Sequence, residues 1–205
     1  MILPQSFFNR NTPDVARDLL GKFLVVRQAD GQFLSLQITE TEAYHGFDDD
    51  ACHGHKRKTE RCAVMYGEAG FCYVYFTYGM HYMLNIVTMK KDFPAAVLVR
   101  SLSFDEFEDE DNLSSKNTIT LNRFGLAWNQ LNVYQVKNLL NGPAKITQAL
   151  KITRQTHNGL KLSKQNGIYI EDRGVKIAKS KIKKSPRIGI NYAQNSKLWE
   201  WRFYL

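Results

Sequence analysis

Glu40, Glu42 and Tyr44 follow Leu34, Leu36 and Ile38 at a spacing of two. In an extended strand that spacing puts all six on one face. The first three mark a core face, while Ser35, Gln37 and Thr39 on the other parity are polar. Carboxylates therefore stand where burial is expected. A buried carboxylate is costly unless paired, tends to a raised pKa, and can then serve as a general base. A strand that stops at Ile38 and leaves both Glu residues in water fits the parity equally well. Arg100 ends the continuously apolar run Ala95 to Val99. A guanidinium there needs a carboxylate or an anionic ligand.

Other reactive types are less organised. Cys52, His53, His55, Cys62 and Cys72 lie close together, but no Cys-x-x-Cys pair is present and the spacing matches no standard zinc pattern. There is no phosphate loop, no dinucleotide-binding glycine fingerprint and no nucleophile elbow. Tyr75 at strand spacing reads equally as packing. Tyr78 beside Gly79 can protrude from a strand end, where an aromatic can wedge between bases or stack on them.

The chain that carries these groups has 205 residues, 43% hydrophobic and 23% charged, which suits one ordinary globular domain. Twenty-eight Lys and Arg against 20 Asp and Glu give +8. Six of the acids fall between Asp105 and Asp111, so 104–117 reads as a solvated acidic loop on a basic body. Two basic runs stand out: Lys56, Arg57, Lys58 and Arg61, and the stretch Arg173 to Arg187. Each alone fits a solvated face; together with the surplus they favour a phosphate-binding face. No apolar run is long enough to span a bilayer, and Met1 to Arg10 lacks a signal-peptide pattern. Three Cys build no disulfide scaffold, so a cytoplasmic protein with reduced thiols is expected.

The positioning elements follow from patterning. Thr12-Pro13-Asp14 predicts a helix start capped by Thr12, with Val15, Ala16, Leu19 and Leu20 on one face and Gly21 at its end. Strands are expected over 22–28 and from Gln32 to about Thr41, joined by an Asp30-Gly31 turn. Phe71 to Tyr78, Met80 to Met89 and Ala95 to Leu102 read as further strands, the last one central. Helical spacing recurs in places over 123–140, and Asn141-Gly142-Pro143 opens a helix bearing Ile146, Ala149 and Leu150. Short strands and turns follow over 153–184, with Asn158-Gly159 and Asn166-Gly167 as hairpin markers. The fold class is α+β, a single domain over 1–205 with a curved antiparallel sheet and flanking helices.

Glu40-Thr41-Glu42-Ala43-Tyr44 resembles the hallmark of the alkyladenine (3-methyladenine) DNA glycosylase family. Asp50-Ala51-Cys52-His53, Thr59-Glu60-Arg61, Tyr73-Val74-Tyr75, Tyr78-Gly79-Met80-His81 and Asn85-Ile86-Val87 follow in family order. So do Ala96 to Arg100, Asn141-Gly142-Pro143-Ala144-Lys145, Arg187-Ile188-Gly189-Ile190 and Trp201-Arg202-Phe203-Tyr204. The chain departs at Cys62, where the family usually has Asn, and matches poorly over 104–138. A local structural change is expected at Cys62.

The resemblance implies roles. Glu42 matches the general base. Arg100 and the Ile188 carbonyl match the groups that hold the attacking water. Tyr44 matches the aromatic on one face of a flipped base, with His53 and Tyr75 on the other, and the backbone around Ala51 and His53 reads the base edge. Asn85 matches the residue that excludes the 2-amino group of guanine. Tyr78 matches the residue that fills the gap in the duplex, while Arg61 and Lys145 match DNA-binding positions. The implied enzyme is a monomeric, monofunctional glycosylase acting on double-stranded DNA with damaged purines, needing no cofactor and no metal. Arg100 is expected to keep Glu42 ionised despite burial, and the acidic loop to lie away from DNA. A non-catalytic nucleic-acid-binding module, and a metal-dependent hydrolase built on Cys52, His53, His55 and Cys62, are the competing readings.

Overall fold

The computed structural model describes residues 1–104 and 113–205. Its frame is an antiparallel sheet in the order β3-β4-β5-β2-β1-β6, with β8 paired to β2 and β7 paired to β8. The strands are β1 (Phe23–Arg27), β2 (Phe33–His45), β3 (Cys72–Thr77), β4 (His81–Val87), β5 (Ala95–Ser103), β6 (Ile168–Glu171), β7 (Lys183–Ser185) and β8 (Arg202–Tyr204). Helices α1 (Gln5–Phe8), α2 (Thr12–Asp18), α3 (Leu113–Phe124), α4 (Val133–Lys137), α5 (Pro143–Ala149) and α6 (Arg154–His157) flank it. This is the expected α+β class. Among the described residues no helix is long and apolar enough to cross a membrane.

The apolar run Ala95–Val99 is fully buried, as its continuous hydrophobicity requires, between β2 and β4. The β1–β2 hairpin turns where expected, with Gly31 at φ 85° and Asp30 accepting from the Gln32 amide at 2.9 Å. Val15, Ala16, Leu19 and Leu20 are buried together against the sheet. The helix is capped one residue earlier than expected, because Asn11 rather than Thr12 is the non-helical flank. Thr12 spends its hydroxyl on Thr88 and His45 instead.

Strand β2 runs to His45, and its parity changes on the way. Its ladder with β5 passes from Ile38–Leu102 to Glu40–Ser101 and then to Thr41–Val99. Thr39 on β2 and Arg100 on β5 are thus opposite no residue, an irregularity that re-aims side chains. Before it, Leu34, Leu36 and Ile38 enter the main core. After it, Ala43 enters that core, and Thr41 donates to the Ala16 carbonyl at 2.7 Å. Glu42 and Tyr44 therefore point to the opposite side of the sheet.

Two expectations need correction. Residues 113–117, assigned to an acidic loop, begin helix α3; positions 105–112 of that loop lie outside the described residues. Helical spacing in places over 123–140 is found at the end of α3, in a 3-10 turn at Trp128–Gln130 and in α4. Within 153–184, expected as strands and turns, Arg154–His157 forms helix α6, because the Thr153 hydroxyl caps it by accepting from the Thr156 amide.

Candidate active site

A cavity of about 590 Å³ opens on the side of the sheet to which Glu42 points. Its wall combines Tyr44 of β2, Tyr75 of β3, Asn85 of β4, Arg100 of β5, His53 and Ile188. That volume holds a flat bicyclic ligand.

Glu42 is 0% exposed and sits directly behind this wall. A carboxylate so placed costs several kcal/mol unless donors replace water. It has three. Tyr44 donates its hydroxyl at 2.8 Å, Arg100 its Nη1 at 3.3 Å, and the Ile188 amide donates at 2.7 Å. All three donors belong to the cavity wall. Arg100, expected to keep Glu42 ionised despite burial, favours the charged form but does not cancel the cost of burial. Burial pushes the Glu42 carboxyl up, outweighing Arg100, the Ile188 amide, the Tyr44 hydroxyl and Arg187. Ile188 reaches Glu42 through its N–H, a contact beyond the carbonyl role expected from the resemblance.

The aromatic wall is assembled by short contacts. His53 and Tyr75 meet edge-on at 4.6 Å between centroids, and His53 Nδ1 lies 2.9 Å from the Tyr73 hydroxyl. Burial, with Arg61 adding to it, lowers the His53 pKa to about 4, so the ring is neutral at physiological pH. Burial likewise raises Tyr75 to about 12. One face of each tyrosine is occupied: the Arg187 guanidinium stands 4.8 Å from the Tyr44 centroid and that of Arg61 5.2 Å from Tyr75. Asn85 is buried with Nδ2 donating to the carbonyls of Tyr73 and Met83. Ala51 donates its N–H to the Asp49 carboxylate, and its carbonyl accepts from the Tyr192 hydroxyl at 3.1 Å.

Tyr78 is on the rim, 79% exposed, at the tip of the β3–β4 hairpin. Its φ of 52° is left-handed and is followed by Gly79 at 67°. Lys145 is not brought to the cavity. It lies on α5 with Nζ donating to Asn138 at 3.3 Å, and Pro143 of the same helix reaches the wall instead. Cys62 occupies its position as a buried thiol, accepting from the Thr59 amide at 3.3 Å. The thiol and imidazole groups of the alternative metal site are directed apart: Cys52 toward the Pro94 carbonyl, His55 toward that of Cys52. Among the described residues no three His, Cys, Asp or Glu side chains are disposed to hold a metal ion.

Arg187 does not belong to the solvated basic run. It is 5% exposed and grips Asp49 with both nitrogens, at 2.6 and 2.7 Å. Lys176, Lys179, Lys181 and Lys183 of that run are exposed. Asp49 also accepts from the His45 and Ala51 amides. Its neighbour Asp50 accepts from the Ser196 hydroxyl and from the amides of Gln194, Asn195 and Ser196, which hold its carboxyl well below the usual range. These two aspartates anchor the segment bearing Ile188 to the segment bearing Ala51 and His53. Sequence reasoning gave Asp49 and Tyr192 no part, and placed Asp50 only within the Asp50-Ala51-Cys52-His53 motif, without a role. Asp48, Asp49 and Asp50 are indistinguishable in sequence, and only the Arg187 motif hinted that one needed a partner.

Comparison with known proteins agrees with this geometry. The sequence profile described as methylpurine-DNA glycosylase (MPG) matches residues 6–205. A protein of Clostridium novyi, named "Putative 3-methyladenine DNA glycosylase", is 45% identical over 204 residues, covering 99% of this chain and 94% of its own length. Proteins of the same name from Methanocella arvoryzae and Bdellovibrio bacteriovorus are 41% and 39% identical, over 99% and 100% of this chain and 92% and 95% of theirs.

Proposed function

The chain belongs to the methylpurine-DNA glycosylase family, N-glycosylases that act on DNA, and from that premise we propose that it flips damaged purines out of double-stranded DNA and hydrolyses their glycosidic bond by water attack. The substrates are 3-methyladenine and other alkylpurines; a neutral lesion such as hypoxanthine needs in addition a proton on the departing base. The observation that carries this reading is Glu42, wholly buried against three residues of an aromatic cavity.

A base inside a duplex is unreachable, and extruding it costs on the order of a few kcal/mol, least at a damaged pair. Tyr78, exposed on the rim, fills the vacated stack. The base enters between Tyr44 and the His53–Tyr75 pair, where stacking returns about 1–3 kcal/mol. Asn85 bounds the cavity beside it. Its amide nitrogen is committed to two carbonyls, so it limits a 2-amino group by bulk. Arg61 and the exposed lysines of the run after Arg173 face phosphate, as does Lys145 in the first turn of its helix.

As the glycosidic bond lengthens, positive charge grows on the sugar. Water takes the place of one of the three donors on Glu42, beside Arg100 and the Ile188 backbone. The carboxylate then opposes the charge on the sugar and accepts the water's proton. A raised pKa makes Glu42 a stronger base than a surface glutamate. General-base assistance of this kind contributes about 10²–10⁴ in rate. An alkylated purine leaves as a neutral base and needs little acid catalysis. Among the described residues no lysine lines the cavity to form a Schiff base, and the product is an abasic site in an unbroken strand. The enzyme works as a monomer in the cytoplasm.

The test is Glu42→Gln on duplexes carrying one defined lesion, scoring free base and abasic product. Lesion binding should persist while single-turnover release drops at least about 100-fold. Undiminished release would remove Glu42 from its role.

A further inference from the structure

The Arg100 guanidinium touches two carboxylates. Its Nη1 reaches Glu42 at 3.3 Å, and its Nε reaches Glu40 at 3.0 Å. Glu40 is held from its other side by Arg202 of β8, whose Nε lies 2.5 Å from the same oxygen. Arg202 is steadied in turn by the Ser185 hydroxyl of β7 at 3.1 Å. A chain of alternating charge thus runs from the sheet's far side to the cavity: Arg202, Glu40, Arg100, Glu42. Glu40 and Arg202 do not line the cavity; they border a separate one.

We propose that Glu40, gripped by Arg202, is a positioning residue: it pins Arg100 at the break in the β2–β5 ladder and takes up part of the guanidinium charge that would otherwise act on Glu42. The proposal rests on Glu42 being the base. The geometry has a clear physical cause. Arg100 is opposite no β2 residue in the ladder, so backbone pairing alone does not orient it. Two carboxylates on one strand, spaced by two residues, supply the missing constraint. Nε is bound on one edge and Nη1 on the other, which leaves a single orientation of the plane.

The electrostatic effect follows from the same contacts. The charged and titratable groups facing Glu42 are Arg100 of β5, Arg187, Tyr44 of its own strand and Tyr75 of β3. Of these, Arg100 acts most strongly to favour the carboxylate. Glu40 counters Arg100, and Arg202 counters Glu40. Losing Glu40 leaves Arg100 fully to Glu42, which lowers the basicity of Glu42. Losing Arg202 draws Arg100 toward Glu40 and raises it.

The experiment is the pH profile of single-turnover base release for Glu40→Ala, Glu40→Gln and Arg202→Met, with Glu42→Gln as control and thermal unfolding as the fold check. Glu40→Ala should lower the plateau rate about tenfold, a fraction of the full general-base effect. Glu40→Gln keeps an acceptor for Nε and should recover most of that loss. Both should move the acid limb down by about one pH unit, and Arg202→Met should move it up. Should Glu40→Ala not fold, the opposite limb shifts of Glu40→Gln and Arg202→Met carry the test. Limbs that coincide with wild type in Glu40→Gln and in Arg202→Met, while Glu42→Gln abolishes release, would overturn the positioning role alone. Wild-type release by Glu42→Gln would instead overturn the reading on which it stands.

Discussion

The pocket floor and the β3–β4 hairpin tip are built on opposite plans. Around Glu42 and Asp49 the carboxylates are multiply held: Glu42 has three donors, and Asp49 takes two nitrogens of Arg187 plus two backbone amides. At the tip, Tyr78 and Met80 are 79% and 70% exposed, and Tyr78 is held in a left-handed conformation by its place in the turn. Such a conformation costs of order 1–3 kcal/mol for a non-glycine residue. A group that must hold a proton acceptor at one point needs an over-determined site. A group that must enter another molecule needs an exposed one. Under the proposed function the two regions divide the task accordingly.

The comparison can be broken most severely at Asp49. Asp49→Ala leaves Arg187 buried and unpaired and should cost about 3–5 kcal/mol of stability, read by urea denaturation. A loss below about 1 kcal/mol would mean the pair behaves like a surface contact. Tyr78→Ala should be the mirror case. Stability should stay within about 0.5 kcal/mol of wild type, while lesion-duplex affinity weakens by about 1–3 kcal/mol in a titration. Unchanged affinity would deny the tip its role as a wedge.

The finest contrast is in pH. Burial raises Glu42 above its ordinary 4.5, so its contribution to stability is whole below 4.5 and is lost as pH rises through the folded value. Gln does not titrate. The stability of Glu42→Gln relative to wild type should therefore increase across that window in denaturation at a series of pH values. A difference that stays constant with pH would contradict a raised Glu42. Tyr78 variants should show no such dependence.

Much of the frame was legible because its physics is local. The β-branched and aromatic runs became β3, β4 and β5, the Asp30-Gly31 turn closed its hairpin, and Pro143 opened its helix. The site was legible residue by residue through motifs. Glu42 is instructive, because alternation singled it out by assigning it to the face of Leu34, Leu36 and Ile38. It is buried on the other face, since the ladder slips between Ile38 and Thr41. Arg187 was misplaced for a related reason. A run of bases reads as solvated, and nothing local marks the one base whose partner lies 138 residues away.

From the sequence alone came the strand and turn pattern, the basic surplus and the residue types a glycosylase needs, since backbone preference and side-chain chemistry act within a few positions. The tertiary structure alone decided which way Glu42 points, which of three adjacent aspartates receives Arg187, and that burial outweighs Arg100 in setting the acidity of Glu42. Those outcomes depend on desolvation and long-range pairing, and both exist only once the strands have assembled.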